Sequence, residues 1–146
     1  MRFWRFEMKI VNPYFLDVFL RPITGLADDD EAVLYYQKIE LNSEEQYRAL
    51  IRDTLVGHFE SLDDVKKQKS KLALSYYLTR QEIDFQRIFD SCLPPFDLPA
   101  NASDFFVWIW EELFAGEDYI ITDSETYKVV ADIHEPNRVA KERFDE

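Results

Sequence analysis

Near the start of the chain Trp4, Phe6, Met8 and Ile10 alternate with Arg5, Glu7 and Lys9. A period of two is the pattern of a strand with one buried face. Asn12 then precedes Pro13, a pairing that opens helices: the short amide side chain accepts from freed N–H groups, and proline has no N–H to leave unpaired. A short helix is predicted over 14–20, although the same apolar run also suits a buried strand. Pro22, Gly25 and the acids Asp28, Asp29 and Asp30 mark a loop. Residues 31–41 then carry apolar side chains on alternate positions (Val33, Tyr35, Ile39, Leu41) and also at helical spacing (Ala32, Tyr36, Ile39). Acids gathered at the start of this segment, where the helix dipole favours them, tip it towards helix.

The middle of the chain has a clear helical period. From Asn42 or Ser43, the positions Tyr47, Leu50, Ile51, Thr54, Leu55 and His58 form one stripe that ends near Gly57. Ser61 with Asp64 reads as the opening of a second helix, with Leu62, Val65, Lys69, Leu72 and Tyr76 along one side. Its second half, 72–78, is apolar nearly all round and is predicted to be buried. Thr79 with Glu82 is a Thr-x-x-Glu box ahead of Phe85, Ile88, Phe89 and Cys92. Three helices in series follow from these spacings.

Pro94, Pro95 and Pro99 break the series. Ser103 or Asp104 then caps a helix over 105–115, and Gly116 supplies the left-handed residue beyond its end. The tail changes period: 119–122 and 127–131 are β-branched and aromatic runs separated by Asp123, Ser124, Glu125 and Thr126, the pattern of a hairpin. A lone hairpin is marginal in water, so it is expected to pack on helices or pair with the N-terminal strand. A final helix is predicted over 136–144. The expected architecture is a helix-dominated α+β fold, one domain over 1–146, with an N-terminal strand and a C-terminal β-hairpin.

Composition narrows the function classes. The 146 residues hold 17 basic and 29 acidic side chains, a net charge of −12, with 47% apolar and 16% aromatic residues. Such a chain has the apolar content to fold alone. Its charge argues against direct binding to nucleic acid or to an anionic membrane surface, which relies on clustered Lys and Arg. The single cysteine cannot form an internal disulfide, and residues 1–11 lack the apolar core of a secretory signal, so a cytoplasmic location is expected. No glycine-rich phosphate loop, HExxH or GxSxG occurs, and no cofactor site is predicted.

Charge is unevenly placed. Residues 88–127 contain no Lys or Arg, but they hold Asp90, Asp97, Asp104, Glu111, Glu112, Glu117, Asp118, Asp123 and Glu125. A solvated, solubilising face is one reading of such a run. The other is a field that steers a basic partner, with aromatic anchors beside it. On the second reading the partner-binding residues are Glu111, Glu112, Glu117, Asp118, Tyr119, Asp123, Glu125 and Tyr127. Asp28, Asp29, Asp30 and Glu31 lack the alternating order and central glycine of a calcium loop, so no metal site is predicted. Adjacent helical Glu111 and Glu112 point about 100° apart, which is poor for an acid–base pair. His58, on an apolar stripe, reads as a core or helix-end histidine, and Lys66, Lys67, Lys69 and Lys71 as partners of their own helix's acids. No catalytic residue is predicted and the chain is not expected to be an enzyme; a carboxylate-only enzyme is the third reading.

A small, acidic, cysteine-poor chain whose 88–127 acids lie beside Tyr119 and Tyr127 resembles the immunity proteins of bacterial toxin systems, those of contact-dependent growth inhibition and of nuclease colicins. These families span unrelated folds, so the resemblance concerns function. It implies a partner, a cognate protein toxin that is often a basic nuclease, neutralised by covering or distorting its active site. The alternative is a DNA mimic or anti-defence inhibitor, whose carboxylates imitate phosphates and occupy a DNA-binding protein.

Overall fold

Apolar side chains spaced by one, two and three residues cannot all face one way from a helix, so a segment built of them must be enclosed. Pro13–Ile23 is such a segment, and in the computed structural model, which describes residues 9–39 and 41–138, it is a 3-10 helix with Phe15, Leu16, Val18, Phe19, Leu20 and Ile23 all buried. Eleven residues are many for this tight helix type, whose hydrogen bonds are poorer than those of an α-helix. Enclosure by apolar neighbours offsets that. The predicted cap is present: Asn12 Oδ1 accepts from the Tyr14 N–H at 3.0 Å. Asn12 is itself buried and donates through Nδ2 to the Asp132 carbonyl at 2.8 Å and to Glu135 Oε1 at 2.9 Å, tying the start of the fold to its end.

Six α-helices lie wholly within the described residues, α1 (Asp30–Ile39), α2 (Glu44–Thr54), α3 (Val56–Glu60), α4 (Asp64–Arg80), α5 (Phe85–Ser91) and α6 (Ala102–Leu113), and α3, α4 and α5 pack against this segment. The central layer is α4, whose second half is buried at Ala73, Leu74, Ser75, Tyr76, Tyr77 and Leu78, as the all-round apolar run predicts. Aromatic contacts join the layers. Phe19 stacks on Phe59 of α3 at 5.3 Å, Tyr47 of α2 meets Phe105 of α6 edge-on at 6.0 Å, and Phe85 of α5 lies 4.7 Å from Phe106. The helix-dominated α+β fold is therefore observed, around one apolar core.

Several boundaries differ from the sequence expectation. The stripe ending at His58 is two helices broken at Leu55, because Thr54 Oγ1 turns back to donate to the Leu50 carbonyl at 2.7 Å and bends the chain. Ser43 caps α2, and Gln46 returns a bond from the Asn42 N–H at 2.8 Å. Asp63 rather than Ser61 caps α4, while Ser61 Oγ donates to the His58 carbonyl at the end of α3. Thr79 opens no helix. It lies inside α4, and Asp84 caps α5 instead. Asn101, ahead of Ser103, caps α6, and Gly116 adopts the left-handed conformation at φ 86°.

The C-terminal hairpin is not formed. Residues 119–121 form no strand and are held by Thr79 Oγ1, which donates to the Tyr119 carbonyl and accepts from the Ile121 N–H, both at 3.1 Å. The second arm instead pairs in parallel with the N-terminal strand: β1 (Ile10–Val11) aligns Ile10 with Lys128 and Val11 with Val129 of β2 (Lys128–Val129). A 3-10 turn at Ser124–Thr126 replaces the tight reversal a hairpin needs. Trp4, Phe6 and Met8 lie outside the described residues. Of the final helix predicted over 136–144, residues 139–144 also lie outside the described residues, and residues 135–138 are helical.

His58, on the short helix α3, is half-buried at the margin of the core. Its Nε2 is buried without a hydrogen-bond partner, and burial, then the charges of Arg21 and Lys66, hold its pKa below the ordinary 6.5. Because the folded value is depressed, the unfolded chain takes up the proton first. The stability owed to neutral His58 is full above about pH 6.5 and is lost as the pH falls through the folded value. We expect His58→Gln to flatten the fall in urea-unfolding free energy between about pH 6.5 and 5; a slope identical to that of the parent chain would show that another group controls it.

Candidate functional site

Arg48 and Arg52 lie one turn apart on α2 and so share a face, which packs against α6 and brings both to Glu112 at 3.1 Å. Arg48 also pairs with Glu111 and, at 2.7 Å, with Glu44 one turn earlier on its own helix. The Glu112 side chain is only 15% exposed and that of Arg48 21%. Burial alone would lower the pKa of Arg48, but the hydrogen bonds from Glu111, Glu44 and Glu112 outweigh it and hold it raised. Glu117, past the end of α6, meets Lys71 of α4 at 2.7 Å, and Lys71 lies over the Phe114 ring at 4.8 Å.

These contacts correct the picture of a free acidic face. Of the eight residues expected to bind a partner, Glu111, Glu112 and Glu117 are neutralised by cations from elsewhere in the fold. Tyr119 and Tyr127 are half-buried rather than projecting anchors: Tyr119 meets Trp110 edge-on at 6.4 Å, and Tyr127 stacks on Tyr76 at 5.6 Å. Asp118 is exposed and accepts from the Ile120 N–H at 3.0 Å in its own turn. Asp123 and Glu125 are exposed and form no ion pair among the described residues. The structure thus leaves Asp118, Asp123 and Glu125 as the solvent-facing part of that set. The lysines of α4 also act at longer range than expected: Lys69 pairs with Glu135 at 3.1 Å, and Lys66 is buried.

A different surface is left open. Helix α1 buries only Tyr36 and exposes Leu34 at 56% and Tyr35 at 61%. A groove of about 450 Å³ runs along one side, between Val33, Tyr36 and Gln37 and the turn of Pro94, Pro95, Phe96 and Asp97. A smaller one of about 140 Å³ lies on the other side, between Tyr35, Tyr36 and Ile39 and the α2 residues Ala49, Leu50 and Asp53. Among the described residues each groove is lined by one carboxylate, Asp97 or Asp53, and by no Lys or Arg. The double pattern of apolar positions in 31–41 is the signal in the sequence: more apolar side chains than one helix face can bury leave some in water.

Asp28, Asp29 and Asp30 serve the start of α1. Asp29 Oδ1 accepts from the N–H groups of Glu31 at 3.0 Å and Ala32 at 3.2 Å. Among the described residues no group of three or more His, Cys, Asp or Glu side chains is placed to hold a metal ion, and no helix is long and apolar enough to cross a membrane. A third hollow, of about 240 Å³, is lined by Asp17, Arg21, Thr24 and Cys92. Burial raises the pKa of both Asp17 and Cys92, leaving the thiol a poor nucleophile. Asp17 is the only carboxylate lining this hollow among the described residues. Comparison of the chain with protein-family models, curated proteins and solved structures gives no match.

The shared cation predicts a stability effect. Arg48→Met leaves Glu44, Glu111 and Glu112 near one another without their common partner. It is expected to lower unfolding free energy in urea by about 1–2 kcal/mol, with part of the loss recovered when Glu112→Gln is added. Equal losses in the single and double variants would mean the network contributes nothing.

Proposed function

We propose that this chain is an inhibitory binding protein of the immunity type: a cytoplasmic protein that captures a cognate basic toxin domain, a nuclease being the best match in charge, and blocks its active site. The observation that carries the reading is the acid excess left over after the internal ion pairs are made. Asp28, Asp30, Glu31, Asp53, Asp64, Asp90, Asp97, Asp123 and Glu125 are exposed and form no ion pair among the described residues. A toxin that cleaves nucleic acid needs a positive substrate cleft, and a negative surface that fits the cleft excludes the substrate. Long-range attraction raises the capture rate by about 10- to 1000-fold over a neutral pair.

The spread of those acids over several elements favours one second reading, the DNA mimic, which requires many separated carboxylates rather than one patch. Co-expression with a toxin co-purified from the native host separates the two. We expect growth arrest by a single basic toxin domain to be relieved and its association with this chain to slow steeply as salt rises. Failure to relieve arrest, together with displacement of duplex DNA from several unrelated DNA-binding proteins, would replace immunity with mimicry.

A further inference from the structure

We propose that α1 is the docking element of this protein, and that its occupant is a basic, apolar-centred segment of the toxin: an apolar side chain covers Leu34 and Tyr35, and a Lys or Arg on each side enters a groove to meet Asp97 and Asp53. The inference rests on the reading of a basic protein partner and places its contact away from the 111–127 acids.

Three observations converge on α1. Its exposed side chains are large and apolar, at 56% and 61% exposure, on a helix that buries one residue. Hollows flank it on both sides, about 450 and 140 Å³, which a flat solvated helix lacks. The ionic groups lining those hollows are Asp97 and Asp53, neither in an ion pair among the described residues. The approach to the helix is acidic too, through exposed Asp28, Asp30 and Glu31. An apolar centre with a charged rim is the layout of a protein interface, and here acids outnumber the one cation of α1, Lys38, which is exposed one turn beyond Leu34.

Charge also decides between occupants. A second copy of this chain would bring a net −12 against −12. Anionic lipid and nucleic acid are repelled for the same reason. A cationic protein surface supplies what each groove lacks. The two aspartates lie on opposite sides of one helix, about 10–12 Å wide with its side chains, a span that two basic side chains flanking one apolar residue on a helix or ribbon can bridge.

The test uses the full chain and a defined probe, a helical peptide in which leucines are flanked by lysines, with its glutamate counterpart as control. Backbone amide NMR shifts on titration should concentrate in 30–39 and around Asp53 and Asp97, and the glutamate peptide should cause none. Leu34→Ala with Tyr35→Ala should weaken binding at least about tenfold, and Asp53→Asn or Asp97→Asn about three- to tenfold each. Asp123→Asn with Glu125→Gln should leave it unchanged. Shifts centred on 118–125, no shifts at all, or concentration-dependent self-association through α1 would overturn the proposal. Growth rescue by the same variants separates the two ideas. If the parent chain rescues and the α1 variants rescue equally well, the docking site is wrong and the immunity reading stands; if the peptide maps to α1 but the parent chain rescues nothing, the reverse holds.

Discussion

The structure depends on hiding Pro13–Ile23. A segment with apolar groups on every side gains nothing from a surface position, so helices must be arranged around it, and the second half of α4, also apolar all round, is the natural first partner. Burying each large side chain is worth about 1.5–3 kcal/mol relative to leaving it in water. Six such side chains in the segment outweigh the poorer hydrogen bonds of a long 3-10 helix. Asn12 extends the same constraint to the rest of the chain, because its amide, trapped at the mouth of the core, can satisfy its donors only on Asp132 and Glu135. The parallel pairing of β1 with β2 follows from that closure rather than from any local turn.

Once the core is set, the charges sort themselves by packing. The α2 stripe that buries Tyr47, Leu50 and Ile51 against the core leaves Arg48 and Arg52 at its edge, where α6 arrives with Glu111 and Glu112. Lys71 reaches Glu117 by lying on Phe114, its stem covering an aromatic ring while its ammonium meets the carboxylate. The acids of 111–117 thereby hold α6 to α2 and α4. A run of like charge in the sequence is, in three of its members, one half of a set of pairs whose other half is written 60 to 64 residues earlier or 46 earlier.

That is why the fold was easier to read in the sequence than the site. Periodicity is a local property: the α2 stripe, the buried half of α4, the Asn12–Pro13 start and Gly116 beyond α6 could all be read from neighbouring residues. Caps were displaced where two short polar residues competed, as at Ser61 and Asp63, or where a third claim intervened, as when Thr79 was taken by the 119–121 backbone. The hairpin failed because strand propensity does not name the partner, and β1 offered β2 a better-anchored edge than residues 119–122 did. The ion pairs of Glu111, Glu112 and Glu117 are non-local, so the 88–127 acids looked free when only their neighbours in sequence were considered. The exposure of Leu34 and Tyr35 was hidden for the opposite reason: a segment whose apolar pattern fits both strand and helix does not say which residues lose the competition for the interior.

Pairing within the molecule and attraction between molecules are separate matters. An internal ion pair cancels locally and leaves a dipole, but it removes nothing from the excess of one sign over the whole chain, so the net −12 survives every bond between Arg48, Arg52 or Lys71 and its carboxylates. At physiological salt, fields decay over about 8 Å, which makes the unpaired surface acids the ones an approaching cation feels. Steering is therefore a property of the whole surface, whereas docking needs an apolar centre that has not been used up by the fold. The aromatic side chains at Tyr119 and Tyr127 are already spent on Trp110 and Tyr76. The apolar side chains of Leu34 and Tyr35 remain exposed, and the two hollows beside α1 hold Asp97 and Asp53, which form no ion pair among the described residues.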